Sequence, residues 1–239
     1  MRQEWHNAKR IVIKIGSALL VDEETGRLRQ EWIYSLIEDI ARLKHEGKEV
    51  ILVASGSKAL GRSELGLVPG TLTLDQAQAA AAIGQISLAH TFKALFQNHD
   101  IKAAQVLLTI SDTEDRRRYL NARDTINTLV DFGVIPVVNE NDTVATNEIR
   151  YGDNDRLSAR VASMVDADVL LIFSDIDGLY TAPPHVDADA EHISEVALIT
   201  PEIEAMAGGT GSSFSSGGMV TKIMAAKIAV AAACHMVIA

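Results

Sequence analysis

The sequence predicts an α/β protein, a three-layer α/β/α sandwich around a mainly parallel open sheet. Three observations carry that reading: short runs rich in Val, Ile and Leu alternate with longer helical patterns, the runs are apolar on both faces, and small and polar residues collect where the runs stop. A strand covered by helices on both sides reads as a continuous apolar run, and parallel strands need helical crossovers between them.

RIVIKI at 10–15 opens the pattern, ends in Lys14-Ile15-Gly16-Ser17 and is followed by a helical stretch at 31–46. EVILVA at 49–54 runs into Ala54-Ser55-Gly56-Ser57. A helix at 74–97 contains an alanine-rich stretch, 77–82, whose small side chains favour helix and permit close packing. KAAQVLLT at 102–109, a helix at 122–132 and VIPVVN at 134–139 come next, the last leading into Asn139-Glu140-Asn141-Asp142. A helix at 154–165, DVLLIFS at 168–174 with its tail Ser174-Asp175-Ile176-Asp177-Gly178, and a closing HMVIA complete the order. Open α/β sheets bind ligands outside the carboxyl ends of their strands, so four such polar ends imply one site.

With 239 residues, 47% hydrophobic and 23% charged, the chain has ordinary globular usage and the length of one large domain or two small ones. A net charge of −10 disfavours partners met by broad electrostatics, such as nucleic acid or an anionic membrane. Any phosphate must be met by a few placed cations. The single cysteine, Cys234, excludes an internal disulfide and a multi-cysteine zinc site, and is read as a small buried hydrophobe. The histidines form no HExxH spacing, so no protein-held metal is expected, while magnesium carried by a substrate stays open. The first apolar run is broken by Lys14 and followed by Asp22-Glu23-Glu24, which suits no secretory signal. No uncharged apolar run approaches the roughly 20 residues that span a bilayer. A soluble, cytoplasmic protein is expected.

Lys14 lies inside an apolar run, and an unpaired buried ammonium costs on the order of several kcal/mol. It therefore lies at the strand's open end with a partner such as a phosphate oxygen, or snorkels from an edge strand. Neither GxxxxGK[ST] nor GxGxxG occurs. In their place stands Gly217-Gly218-Met219-Val220-Thr221-Lys222 at a predicted helix start, readable as an anion cradle or as a surface loop ending in a solvated lysine. The segments 139–142 and 152–155 mix amides with carboxylates, which suits an amino-acid ligand; turn and N-cap chemistry is the plainer alternative. Asp112 to Arg118 reads as a solvated helix start or interface, and 183–189 as a surface excursion.

Taken in order, KIGS, ASGS, NEND, GDND, SDIDGLY and SGGMVTK resemble the glutamate 5-kinases of the amino-acid kinase family over nearly the whole chain. The resemblance implies the amino-acid kinase fold and ATP-dependent phosphorylation of the γ-carboxylate of L-glutamate, with Mg2+, to γ-glutamyl 5-phosphate, the first step of proline biosynthesis. Glutamate would lie over the N-terminal part and ATP over the C-terminal part. Residue by residue it implies catalytic roles for Lys14 and Lys222, with Asp155 orienting both. It implies glutamate contacts from Ser55, Gly56, Asp142 and Asn154. For ATP it implies Lys14, Gly16, Ser174, Asp175, Ser216, Gly217, Gly218, Met219, Thr221 and Lys222. A homo-oligomer and inhibition by proline are further implications. So are a closing kinase segment and a C-terminal PUA domain beyond Ala239, so the 239 residues are expected to be one kinase domain without either. Acetylglutamate kinase or aspartokinase chemistry, and a catalytically silent sensor, are the competing expectations.

Two departures stand out. Lys58 in SGSKALGR takes a position where an apolar residue is expected to pack, so it faces solvent or the local packing differs. TAPPHVD after Tyr180 replaces a more usual Asp-Pro-Arg-type turn, which leaves the nucleotide preference open.

Overall fold

The strand carrying Lys14, β1 (Arg10–Ile15), lies inside a six-stranded parallel sheet ordered β3-β4-β2-β1-β5-β8. Its companions are β2 (Glu49–Ala54), β3 (Ala103–Leu108), β4 (Ile135–Glu140), β5 (Val169–Phe173) and β8 (His235–Ile238). The computed structural model describes residues 2–22, 24–67, 70–145, 154–207 and 218–239. In chain order the helices are α1 (Arg2–Asn7), α2 (Ser17–Leu20), α3 (Gln30–His45), α4 (Ser57–Glu64), α5 (Leu74–Gln97), α6 (Ile110–Glu114), α7 (Arg116–Asp131), α8 (Asn154–Met164), α9 (Pro201–Met206) and α10 (Met219–Ala231). A small antiparallel pair, β6 (Leu179–Tyr180) with β7 (His192–Ile193), stands apart from the sheet.

Strand alternation assigns the two faces. Ile11, Ile13 and Ile15 of β1 point into one core with Ile33, Ile37 and Ile40 of α3 and Leu88, Phe92 and Phe96 of α5. Val12 joins the other core, where α7, α8 and α10 contribute Ile126, Leu157, Val161 and Ala225. The same period sends Lys14 toward the α8 and α10 layer. Lys14 pairs with Val53 of β2 and Ile172 of β5, so the edge-strand alternative is excluded and its ammonium must find a partner inside. β2 lies on one side of β1 and β5 on the other, so connections diverge beside β1 and open a crevice at its carboxyl end.

The opposite end of the sheet is tied by charge. Asp168 accepts from the Lys9 and Arg10 amides at 2.7 and 2.8 Å, and Arg10 Nε donates to Glu49 Oε2 at 2.8 Å. Burial works to raise the Glu49 carboxyl, but hydrogen bonds from Arg10 and Lys9 outweigh it and hold the group below its ordinary range.

α7 begins at Arg116, several residues before the predicted 122, because Asp115 caps it by accepting from the Arg118 amide at 2.9 Å. Its arginine-rich first turn is exposed, as both the solvated-start and the interface readings expect. The segment 183–189 is likewise on the surface. The alanine-rich stretch serves close packing: a Cβ on Gly61 of α4 would overlap the Ala80 carbonyl of α5, and one on Gly84 of α5 would overlap that of Ser57.

Candidate active site

Two polar clusters meet at the first turn of α8. In the first, Asp155 is fully buried and its Oδ1 lies 2.5 Å from Lys14 Nζ. Its Oδ2 lies 3.4 Å from Lys222 Nζ and 3.0 Å from Thr221 Oγ1. Lys14 is 5% exposed and Lys222 2%, so two ammonium groups are drawn out of water to one carboxylate. That carboxylate sits in the first turn of a helix, where the backbone N–H groups favour negative charge. Gly16 follows at the strand end; a Cβ there would lie 3.8 Å from Lys14 Nζ, and its amide donates to the Phe173 carbonyl at 3.2 Å. Gly218 caps α10 and accepts from Thr221 Oγ1 at 2.6 Å, which turns Thr221 and Lys222 toward Asp155.

The second cluster begins one residue earlier. Asn154 Nδ2 lies within hydrogen-bond range of Ala54 O, Ser55 Oγ and Asn139 Oδ1, at 2.8, 2.9 and 3.0 Å. Asn139 Nδ2 donates to Gln85 Oε1 at 2.6 Å and to Ser57 Oγ at 3.4 Å, and Ser57 Oγ donates to Asp142 Oδ2 at 3.3 Å. Asn154 is buried, yet its Oδ1 has no hydrogen-bond partner among the described residues. A buried acceptor left open is costly and suits a ligand donor. Gly56 has φ +97°, a left-handed conformation that favours glycine, and its sharp turn starts α4 beside this cluster.

Lys58 faces solvent in part. Its side chain is 44% exposed, but the ammonium turns inward to Asp142 Oδ1 at 2.7 Å. Lys58, Glu140 and Asp142 line a cleft of about 320 Å³ together with Thr73 and Gln78. The structure thus brings together Lys14, Gly16, Asp155, Thr221 and Lys222, and, through α8, Ser55, Asn154 and Asp142. Ser174 lies at the end of β5, donating to Asp175 Oδ1 at 2.9 Å, while Asp175 is exposed and borders a separate cleft near Trp32. Met219 lies in the first turn of α10, half-buried. Gly152, Asp153, Ser216 and Gly217 lie outside the described residues. Ser57 and Gln85 were not singled out by sequence, since one reads as a turn residue and the other as a helix surface.

A family described as "Amino acid kinase family" matches residues 9–239. This chain belongs to the amino acid kinase family. Among curated relatives, it is 63% identical over 230 residues to glutamate 5-kinase of Agrobacterium fabrum, covering 96% of this chain and 59% of that protein. It is 61% identical to glutamate 5-kinase of Paramagnetospirillum magneticum, covering 97% of this chain and 62% of that protein. The chain thus spans about three fifths of the length of these relatives. Carbamate kinase from Giardia lamblia bound to AMP-PNP shares the fold at TM-score 0.66 and 17% identity, over 97% of this chain and 92% of that one. The UMP kinase from Bacillus anthracis does so at TM-score 0.55 and 17% identity, over 77% and 72%. In this amino acid kinase, no described helix is long and apolar enough to cross a membrane.

Proposed function

We propose that this amino acid kinase transfers the γ-phosphoryl group of ATP to the γ-carboxylate of L-glutamate, giving ADP and γ-glutamyl 5-phosphate, the first step of proline biosynthesis. The observation that carries the reading is the meeting of Lys14 and Lys222 on Asp155, one residue from the amide cluster around Asn154. The naming of the curated relatives as glutamate 5-kinases supports the choice of substrate.

In phosphoryl transfer the protein mainly positions reactants and offsets charge on the equatorial oxygens. A glutamate carboxylate oxygen attacks the γ-phosphorus, a P–O bond forms, and the bond to the β-phosphate oxygen breaks to release ADP. The carboxylate is already ionised at neutral pH, so no general base is required. Lys14 would reach the transferring group from the crevice at β1, and Lys222 from the nucleotide side. Asp155 would hold both ammonium groups in place before the phosphates arrive. Ser55, Gly56, Asp142 and Asn154 would position glutamate. The nucleotide would be held by Gly16, Ser174, Asp175 and the 216–222 segment. Among the described residues no group of three or more His, Cys, Asp and Glu could hold a metal. Mg2+ would arrive with the nucleotide. Magnesium there would draw charge from the β- and γ-phosphates.

The test is ATP- and Mg2+-dependent hydroxamate formation from L-glutamate, N-acetylglutamate and aspartate. Turnover of glutamate alone supports the reading; turnover of only one of the others overturns the substrate, and none on any overturns the reaction. Inhibition by proline, a homo-oligomeric state and a cytoplasmic location belong to the same proposal. Proline titration of the assay, light scattering and cell fractionation test them in turn.

A further inference from the structure

The cleft beside Asp142 holds a charge that the proposed catalytic scheme does not use. Among the described residues lining it, Lys58 is the sole cation, set against Glu140 and Asp142. Its ammonium lies 2.7 Å from Asp142 Oδ1, while its side chain remains 44% exposed. The lysine is therefore held at its tip and free along its stem, a geometry that lets the ammonium swing without repacking a core.

A glutamate whose γ-carboxylate faces Lys14 and Lys222 presents an α-ammonium and an α-carboxylate at its other end. Asp142 suits the ammonium, and so does the open Asn154 Oδ1. The α-carboxylate is a different matter, because Glu140 and Asp142 both repel it and a cation must offset them. We propose that Lys58 is a substrate-positioning residue that binds the α-carboxylate of the amino-acid substrate, handing Asp142 to the α-ammonium as it does so. The head of the substrate then enters between the two partners of an existing ion pair, and four charges alternate in sign. This rests on the glutamate kinase reading and adds to it the means of selecting a zwitterionic head.

The experiment compares the unsubstituted protein with Lys58→Met, which keeps the stem and removes the charge, and Lys58→Arg, which restores it. L-Glutamate is compared with L-isoglutamine, whose α-carboxylate is replaced by a neutral amide. Lys58→Met is expected to raise KM for glutamate about tenfold or more, with kcat and the KM for ATP within about threefold, since a charge-assisted contact is removed. It is also expected to shrink the preference for glutamate over isoglutamine by a similar factor, and Lys58→Arg to recover most of it. A glutamate KM unchanged within about twofold, or an equal loss on both compounds, overturns the role of Lys58 while leaving the kinase reading intact. Absence of glutamate turnover in the unsubstituted protein overturns the kinase reading, and the inference with it. Equal melting temperatures of the three proteins exclude misfolding as the cause of a raised KM.

Discussion

Lys14 and Asp155 face each other at 2.5 Å, one on an interior strand and the other in the first turn of α8. Neither is a surface residue, and Lys222 reaches the same carboxylate from α10. Replacing Lys14 or Lys222 by Ala is expected to lower kcat by on the order of 10²-fold or more, since each removes a full charge from the transferring group. Steady-state turnover at saturating glutamate and ATP checks this, and unchanged turnover would sink the charge-stabilising mechanism.

Asp155→Asn should act on stability as well as activity. It leaves two buried ammonium groups without their shared carboxylate, and breaking a buried pair in this way costs about 3–5 kcal/mol. Denaturant unfolding is expected to show the loss, and adding Lys14→Met to Asp155→Asn should recover part of the stability without restoring turnover.

The glycine contact between α4 and α5 links packing to the site. Gly84→Ala forces a methyl group onto the Ser57 carbonyl and is expected to destabilise by about 1–3 kcal/mol. Because Ser57 donates to Asp142, the KM for glutamate should rise too. Gly47→Ala is a control: no atom lies within 4 Å of the added Cβ, although its φ of +82° still imposes backbone strain. It is expected to lower the melting temperature without touching KM.

At the far end of the sheet, Glu49 sets an acid dependence. Its carboxyl is held below the ordinary 4.5, so its contribution is present above that pH and lost as pH falls through the lower folded value. Glu49→Gln should therefore be less stable than the parent at neutral pH, with the two melting curves converging below pH 4.5.

Cys234 offers a probe of folding. Burial, with Asp168 nearby, pushes its thiol up to about 12, so almost none is thiolate at neutral pH. A disulfide reagent such as dithionitrobenzoate is expected to react only as the protein unfolds, and rapid labelling of the native protein would contradict its buried setting.

Much of this was legible in residues close together. The doubly apolar runs marked the strands, and in the inner four, β1, β2, β4 and β5, burial on both faces accounts for that trace, whereas the edge strands β3 and β8 are mostly not buried. The density of Gly, Ser, Asn and Asp at the strand ends marked the crevice. Lys14 was conspicuous because an ammonium is out of place among Ile and Val. The start of α7 was hidden, since a cap by Asp115 and three exposed arginines carry no apolar period. Lys58 was visible as a misfit, but its turn onto Asp142 was not.

The residues in order thus mark the six strands of the main sheet, the lysine inside the first of them, and the places along the chain where the polar ends fall, because these depend on local periodicity and conformational preference. The tertiary structure alone decided that β1 is interior, that Lys222 and Asp155 meet Lys14, and that Lys58 closes on Asp142. Those outcomes follow from strand order and helix packing, which bring distant residues together through shared burial and charge and leave no pattern in the residues between them.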